Sequence, residues 1–125
     1  MSELNLEPQW LCESSALQEC DGSFTFEVLE GGQTVPAFAV RFDNAAVAYL
    51  NRCAHVPAEM DWQPGQFWDM DKRFIVCSMH GALYEPADGL CVSGPCPGKH
   101  LIPIALTESQ GQIHWQPTDR FQPVF

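Results

Sequence analysis

At 125 residues, 46% hydrophobic and 18% charged, the chain is long enough for one domain around one modest core, and its composition argues against wholesale disorder. Its formal charge of −10 argues against a nucleic-acid partner, whose phosphates it would repel, and favours a basic protein partner. The longest apolar stretches, "PAFAVRF" and "NAAVAYL", are broken by Arg41 and Asp43, far short of the roughly 20 apolar residues of a membrane span.

The opening "MSELNLEPQW" carries no basic segment followed by an apolar one, so a cytoplasmic location is the expectation. "CESSALQE" (12–19) predicts a helix of one or two turns, capped by Ser14 or Ser15. "FTFEVL" (24–29) alternates and is rich in aromatic and β-branched residues, which predicts a strand closed by a turn at Glu30-Gly31-Gly32-Gln33. "VPAFAVRF" (35–42) is the returning strand, with Pro36 suited to its edge or start. Asp43-Asn44 then turns into "AAVAYL" (45–50), completing an antiparallel meander. "RFIVC" (73–77) is a short strand, and "LIPIAL" (101–106) with "QIHW" (112–115) predicts a C-terminal hairpin across "TESQG". Residues 53–98 between these strands hold ten glycines and prolines. A loop region that long is usually functional or held by something other than a core, and a bound metal would supply the hold.

Six cysteines suggest disulfides only in an oxidising compartment; otherwise metal binding or redox chemistry explains some of them better. Two pairs stand out: Cys53-x-His55 and Cys77-x-x-His80, with 21 residues between His55 and Cys77. Each pair follows a predicted strand where the chain turns, so two facing turns can bring two thiolates and two imidazoles to one centre. That donor set suits tetrahedral zinc, or a 2Fe-2S cluster in which histidines replace two cysteines on one iron.

The flanking residues carry a more specific pattern. "CAH…CSMHGALYEPADGLCVSGP" closely resembles the two cluster-binding loops of Rieske proteins, through Cys53, His55, Cys77, His80, Gly81, Tyr84, Gly89, Gly94 and Pro95. The resemblance implies an all-β fold, a Rieske-like antiparallel β-sandwich or barrel with a loop-rich cluster-binding subdomain. It also implies a single domain, 1–125, whose base is about 1–50 and 99–125 and whose cluster-binding subdomain is about 51–98.

It further implies that Cys53 and Cys77 bind one iron of a 2Fe-2S cluster and that His55 and His80 bind the other through Nδ1. Gly81 would let the chain bend past the cluster, Gly94-Pro95 would form a stiff flap over it, and Tyr84 would offer a hydroxyl donor. Imidazoles in place of two thiolates remove two negative charges from the cluster, which makes reduction easier than in all-cysteine ferredoxins. The chain departs from the respiratory members of the family, which carry an extra, disulfide-bonded cysteine in each loop; Ala58 and Met79 stand there instead. Ala82 also replaces the serine that follows His-Gly in those members, so a potential at the lower end of the Rieske range is expected.

Glu59, Asp61, Asp69, Asp71, Glu85 and Asp88, against Lys72 and Arg73, read either as a solvated face or as an acidic rim that steers a basic partner. Trp62, Phe67 and Trp68 are expected to form an apolar base under the loops. Cys91 and Cys96 could clip the flap as a disulfide, although free thiols are the expectation in the cytoplasm. His100 and His114 are expected to be ordinary surface or core residues.

The leading expectation is a soluble one-electron carrier, not itself an enzyme, that passes electrons between a reductase and an oxygenase or other acceptor. The alternatives are a small accessory subunit of a larger reductase, resembling that of nitrite reductase, and a zinc-stapled binding module.

Overall fold

The computed structural model describes residues 4–54, 58–61, 65–77, 81–94 and 98–124. Ten strands in this range form three antiparallel sheets: β1 (Gln9–Glu13), β2 (Phe24–Glu30), β3 (Gln33–Phe42), β4 (Ala45–Leu50), β5 (Ile75–Val76), β6 (Leu83–Tyr84), β7 (Cys91–Ser93), β8 (Pro103–Ile104), β9 (Leu106–Ser109) and β10 (Gln112–Trp115). The sheet orders are β2-β3-β4-β8, β1-β10-β9 and β5-β6-β7. The first two are built from the chain's ends, and the third lies wholly within the loop-rich stretch.

The meander from 24 to 50 follows from its turns. Gly31 and Gly32, at φ +58° and +82°, close β2 onto β3, and Asp43 and Asn44, at +52° and +65°, close β3 onto β4. Two-residue loops with both φ angles positive match the right-handed twist of the strands they join. Gln110-Gly111 repeats the device between β9 and β10. Pro36 lies in a strand paired on both sides rather than on an edge. Its missing N–H falls where the β4 ladder ends, and there its carbonyl accepts the Asn51 N–H at 2.9 Å.

β3 is buried on both faces, with Ala37, Phe38, Ala39 and Val40 at 0–1% exposure. Because successive side chains alternate, Ala37 and Ala39 face one way, packing with Leu11, Val28, Leu50, Ile113 and Trp115 between the two large sheets. Phe38 and Val40 face the other way, joined by Tyr49, and meet Cys53, Phe67, Ile75, Cys77 and Tyr84 of the loop-rich stretch. The four-stranded sheet is therefore the middle layer. Phe38 and Phe67 stack across this second interior at 3.8 Å with an 8° interplanar angle.

Three sequence expectations change. In 12–19, Cys12 and Glu13 belong to β1, and only a 3-10 turn, Ser14–Ala16, follows, with no side-chain cap. Arg41 pins both ends of this turn, donating to the Ser14 and Leu17 carbonyls and to the Glu108 carboxylate. In 73–77, only Ile75–Val76 is strand, because the Arg73 and Phe74 N–H groups turn onto Asp69 Oδ1. In 101–106 the chain changes sheet: Pro103–Ile104 pairs with β4, whereas Leu106–Ser109 forms the hairpin with β10.

Candidate metal centre

The first loop leaves β4 at Asn51, whose side chain is buried. Asn51 Nδ2 donates to Asp61 Oδ1 at 2.7 Å, Asn51 Oδ1 accepts the Met60 N–H at 2.7 Å, and Asp61 Oδ2 accepts the Gly65 N–H at 2.9 Å. One polar residue at the strand end thus ties down the chain beyond the loop. Within the loop, the Cys53 N–H donates to the Ala58 carbonyl at 2.9 Å. The second loop leaves β5 at Cys77, whose N–H donates to the Ala82 carbonyl while its carbonyl accepts the Gly81 N–H at 2.7 Å. Gly81 sits at φ +72°, a left-handed conformation that closes this turn at no side-chain cost.

The two cysteines share one interior. Cys53 and Cys77 are 3% and 0% exposed and belong to the same buried cluster as Met60, Ile75, Ala82, Tyr84 and Cys91. Tyr84 Oη accepts the Ala54 N–H at 3.0 Å and lies 3.3 Å from Cys53 Sγ. A thiolate can only accept, so a deprotonated Cys53 receives its hydrogen bond from the phenol. Gly94, at φ +98°, crosses the second loop so closely that a Cβ there would stand 2.7 Å from the Ala82 Cα. Only glycine fits.

Two further contacts bind this region to the middle sheet. Buried Tyr49 on β4 donates to the Pro86 carbonyl at 2.6 Å, and burial, reinforced by the nearby Asp88 and Glu85 carboxylates, pushes its phenol well above the ordinary range. Gly89 lies under its ring, where a Cβ would stand 2.9 Å from Tyr49 Cε1. Phe67 and Trp68 do form an apolar base, Phe67 fully buried and Trp68 half-buried with its indole N–H on the Gly22 carbonyl.

Of the residues singled out in the sequence, Cys53, Cys77, Gly81, Tyr84, Gly89 and Gly94 converge here, whereas His55, His80, Pro95, Trp62, Met79 and Cys96 lie outside the described residues. Among the described residues, no group of three or more His, Cys, Asp or Glu side chains is arranged so that it could hold a metal ion. Cys91 is buried, with its Sγ 3.4 Å from the Ser93 carbonyl. His114 lies half-buried in β10 and His100 is exposed. The acidic residues of 59–88 are largely committed within the chain: Asp61 and Asp69 to the loop bonds above, Glu85 to Arg73 at 2.8 Å, and Asp88 to the Leu90 N–H. Sequence reasoning missed Asn51 and Tyr49. A polar residue directly after the apolar strand 45–50 and two positions before Cys53 was the one signal for Asn51.

A family model described as "Rieske [2Fe-2S] domain" matches residues 7–116. The chain belongs to this family. The Rieske domain has the antiparallel all-β fold expected, and the cofactor of its family is a [2Fe-2S] cluster. Two buried sulfurs, a hydroxyl beside one of them and a glycine pinch over the second loop fit that group.

Solved structures similar to this Rieske domain include the ferredoxin of carbazole 1,9a-dioxygenase from Nocardioides aromaticivorans IC177. The two are 17% identical, with 89% of this chain and 98% of that one covered at a TM-score of 0.65. A chain from a complex of reduced oxygenase and oxidised ferredoxin in carbazole 1,9a-dioxygenase is 20% identical, with 90% and 94% covered at 0.66. The terminal oxygenase of carbazole 1,9a-dioxygenase from Novosphingobium sp. KA1 is 19% identical at 0.71, with 98% of this chain but 32% of that one covered. At these identities the likeness is one of fold. No curated protein matches the sequence. Among the described residues, no helix is long and apolar enough to cross a membrane.

Proposed function

We propose that this Rieske domain is a one-electron carrier, passing electrons from a reductase to an oxygenase or another redox acceptor and transforming no substrate of its own. The observation that carries the reading is the pair of buried cysteines, one beneath the Tyr84 hydroxyl, inside a Rieske domain. Cys53 and Cys77 would hold one iron of the cluster, and His55 and His80 would hold the other through Nδ1. When bound there, the cluster would supply a site able to take up and give back one electron. With Cys53 deprotonated, Tyr84 would donate to its Sγ and so would favour the electron-rich state, in part replacing the hydroxyl that Ala82 lacks. Gly81 and Gly94, both at positive φ, let the backbone close around the cysteines.

In this reading the base is about 1–50 and 99–125, and the cluster-binding part is about 51–98. The likeness in fold to a ferredoxin, over 98% of that chain, supports a carrier. The partners are redox proteins, as in the oxygenase–ferredoxin complex that this fold resembles. A cytoplasmic placement suits the thiols of Cys12 and Cys20.

Anaerobic purification followed by iron, zinc and acid-labile sulfide analysis tests the reading. Two irons and two sulfides per chain, bleached reversibly by dithionite and absent from Cys77→Ala, are expected. A colourless protein with one zinc and no sulfide would overturn it in favour of a metal-stapled binding module.

A further inference from the structure

The middle sheet has an edge that is only partly closed. β2 is its outermost strand on one side, and Leu29 exchanges both of its backbone hydrogen bonds with Gln122. In an antiparallel pair this turns the N–H and carbonyl of every second residue, Leu29, Glu27 and Thr25, away from β3. At the other end, Ser23 Oγ donates to the Gly65 carbonyl at 2.8 Å. Between these two closures the backbone groups of Thr25 and Glu27 meet no partner among the described residues, and both residues are exposed.

The side chains of this open stretch share one face. Thr25 pairs with Phe38 and Glu27 with Pro36, so both stand on the side that Phe38 turns to the loop-rich stretch. There a groove of about 570 Å³ remains uncovered, its walls including Ser23, Thr25, Glu27, Pro36, Glu59 and Asp61. Three of these are carboxylates, and among the described residues no lysine or arginine lines it. A charge on an edge strand ordinarily guards against pairing with other strands. Beside an acidic groove it instead selects which strand can pair.

We infer that the open edge of β2 receives an extended segment of a second protein, with a lysine or arginine on either side of an apolar residue. Paired antiparallel, the two basic residues lie opposite Glu27 and Thr25, exchange four backbone hydrogen bonds with them and turn their side chains into the groove. The apolar residue falls opposite half-buried Phe26 on the other face. A second copy of this chain does not fit. Edge-to-edge pairing would bring two Glu27 carboxylates to one face, and no two lysines or arginines stand two positions apart anywhere in the chain. The inference goes beyond the electron-carrier reading: it concerns how a partner is held, not how an electron moves.

The peptide acetyl-GTRVRTG-amide, titrated calorimetrically into the holoprotein at low ionic strength, probes the edge. With free peptide at about ten times its dissociation constant, hydrogen exchange at Thr25 and Glu27, followed by mass spectrometry, should slow about tenfold. Glu27→Gln should weaken binding about threefold, and Asp71→Asn, an equal change of charge on the exposed 69–73 turn, far less. Methylating the backbone nitrogens of both arginines keeps their charge but removes the donors to Thr25 and Glu27, and should weaken binding at least about tenfold. Methylating the valine nitrogen, which points away from β2, should leave binding unchanged. Equal binding by the peptide methylated at both arginines would reveal bare charge attraction and overturn the inference. Equal weakening by Glu27→Gln and Asp71→Asn, unslowed exchange at Thr25 and Glu27, or no binding at millimolar peptide would overturn it as well, each leaving the electron carrier intact.

Discussion

The sheets built from 9–50 and 103–115 and the stretch from 51 to 98 reach order by different means. The first owes its shape to ladders: β2 and β3 pair through seven residues, β3 and β4 through six, and alternation buries an apolar face at each step. The second has strands of two or three residues, too short to stand as a sheet alone. It is held by individual polar ties, Asn51 to Asp61 and Met60, Tyr49 to Pro86, and Asp69 to Arg73 and Phe74, and by the apolar face that Phe38 and Tyr49 turn toward it. A ladder tolerates the loss of one side chain. A loop fixed by single ties does not, and this gives each tie its own measurable consequence.

The sharpest way to break the contrast is at the shared wall. Phe38 belongs to the ladder but packs on Phe67 of the loop region. Phe38→Ala should cost about 3–5 kcal/mol, typical of emptying a buried aromatic site. If the two regions form one cooperative unit, loss of visible absorption and loss of far-UV circular dichroism should shift to lower temperature together. Cluster release well below the sheet transition would show that the loop region melts by itself.

A second comparison sets the two buried tyrosines against each other. Tyr84→Phe removes a donor near Cys53 Sγ and leaves the Ala54 N–H without its acceptor. A hydrogen bond to a charged group is worth about 1.5 kcal/mol, and only the part that differs between the oxidised and reduced states moves the potential, so it should fall by at most about 60 mV. Tyr49→Phe severs only the bond to the Pro86 carbonyl. It should cost about 1 kcal/mol of stability and leave the potential where it was. Protein-film voltammetry with thermal melts separates the outcomes, and a potential that moves equally in both variants would erase the distinction between a tie and a tuning group.

The smallest effect sharpens the base alone. Glu108 is held below the ordinary carboxylate range by its hydrogen bonds to Arg41, and Glu30 by those to Arg52 and Arg120. A depressed folded-state pKa means that the unfolded chain takes up protons first as pH falls. The stability these groups contribute is therefore present above about pH 4.3 and lost as pH falls through their lower folded values. The Arg41–Glu108 pair contributes at most about 1 kcal/mol. Melting temperature followed from about pH 6 to pH 3 should fall less steeply in Glu108→Gln than in the parent protein; identical slopes would remove this pair from the acid response.

What the sequence disclosed follows the same division. The meander was legible because alternation and left-handed turn residues act locally, and β10 for the same reason. β1 was not: its register shifts between Trp10 and Cys12, so the adjacent Leu11 and Cys12 are both buried and the alternation breaks. The sheet change at Ala105 leaves no local mark, which is why 101–106 reads as one strand. At the site, ligand spacing exposed the cysteines, and the glycines stood out as turn formers. Asn51 and Tyr49 escaped because Asp61 and the Pro86 carbonyl come to them only when the chain has folded.

The two-sided burial of β3 also constrains how the chain can misfold. Sliding β3 by one residue against β2 and β4 would exchange its faces, thrusting Phe38 and Val40 into the gap sized for Ala37 and Ala39 and leaving alanines opposite Phe67. Such an error would overfill one interior and hollow out the other at once. Correct registration of the scaffold and a properly shaped chamber for the cysteines are thus selected in a single event.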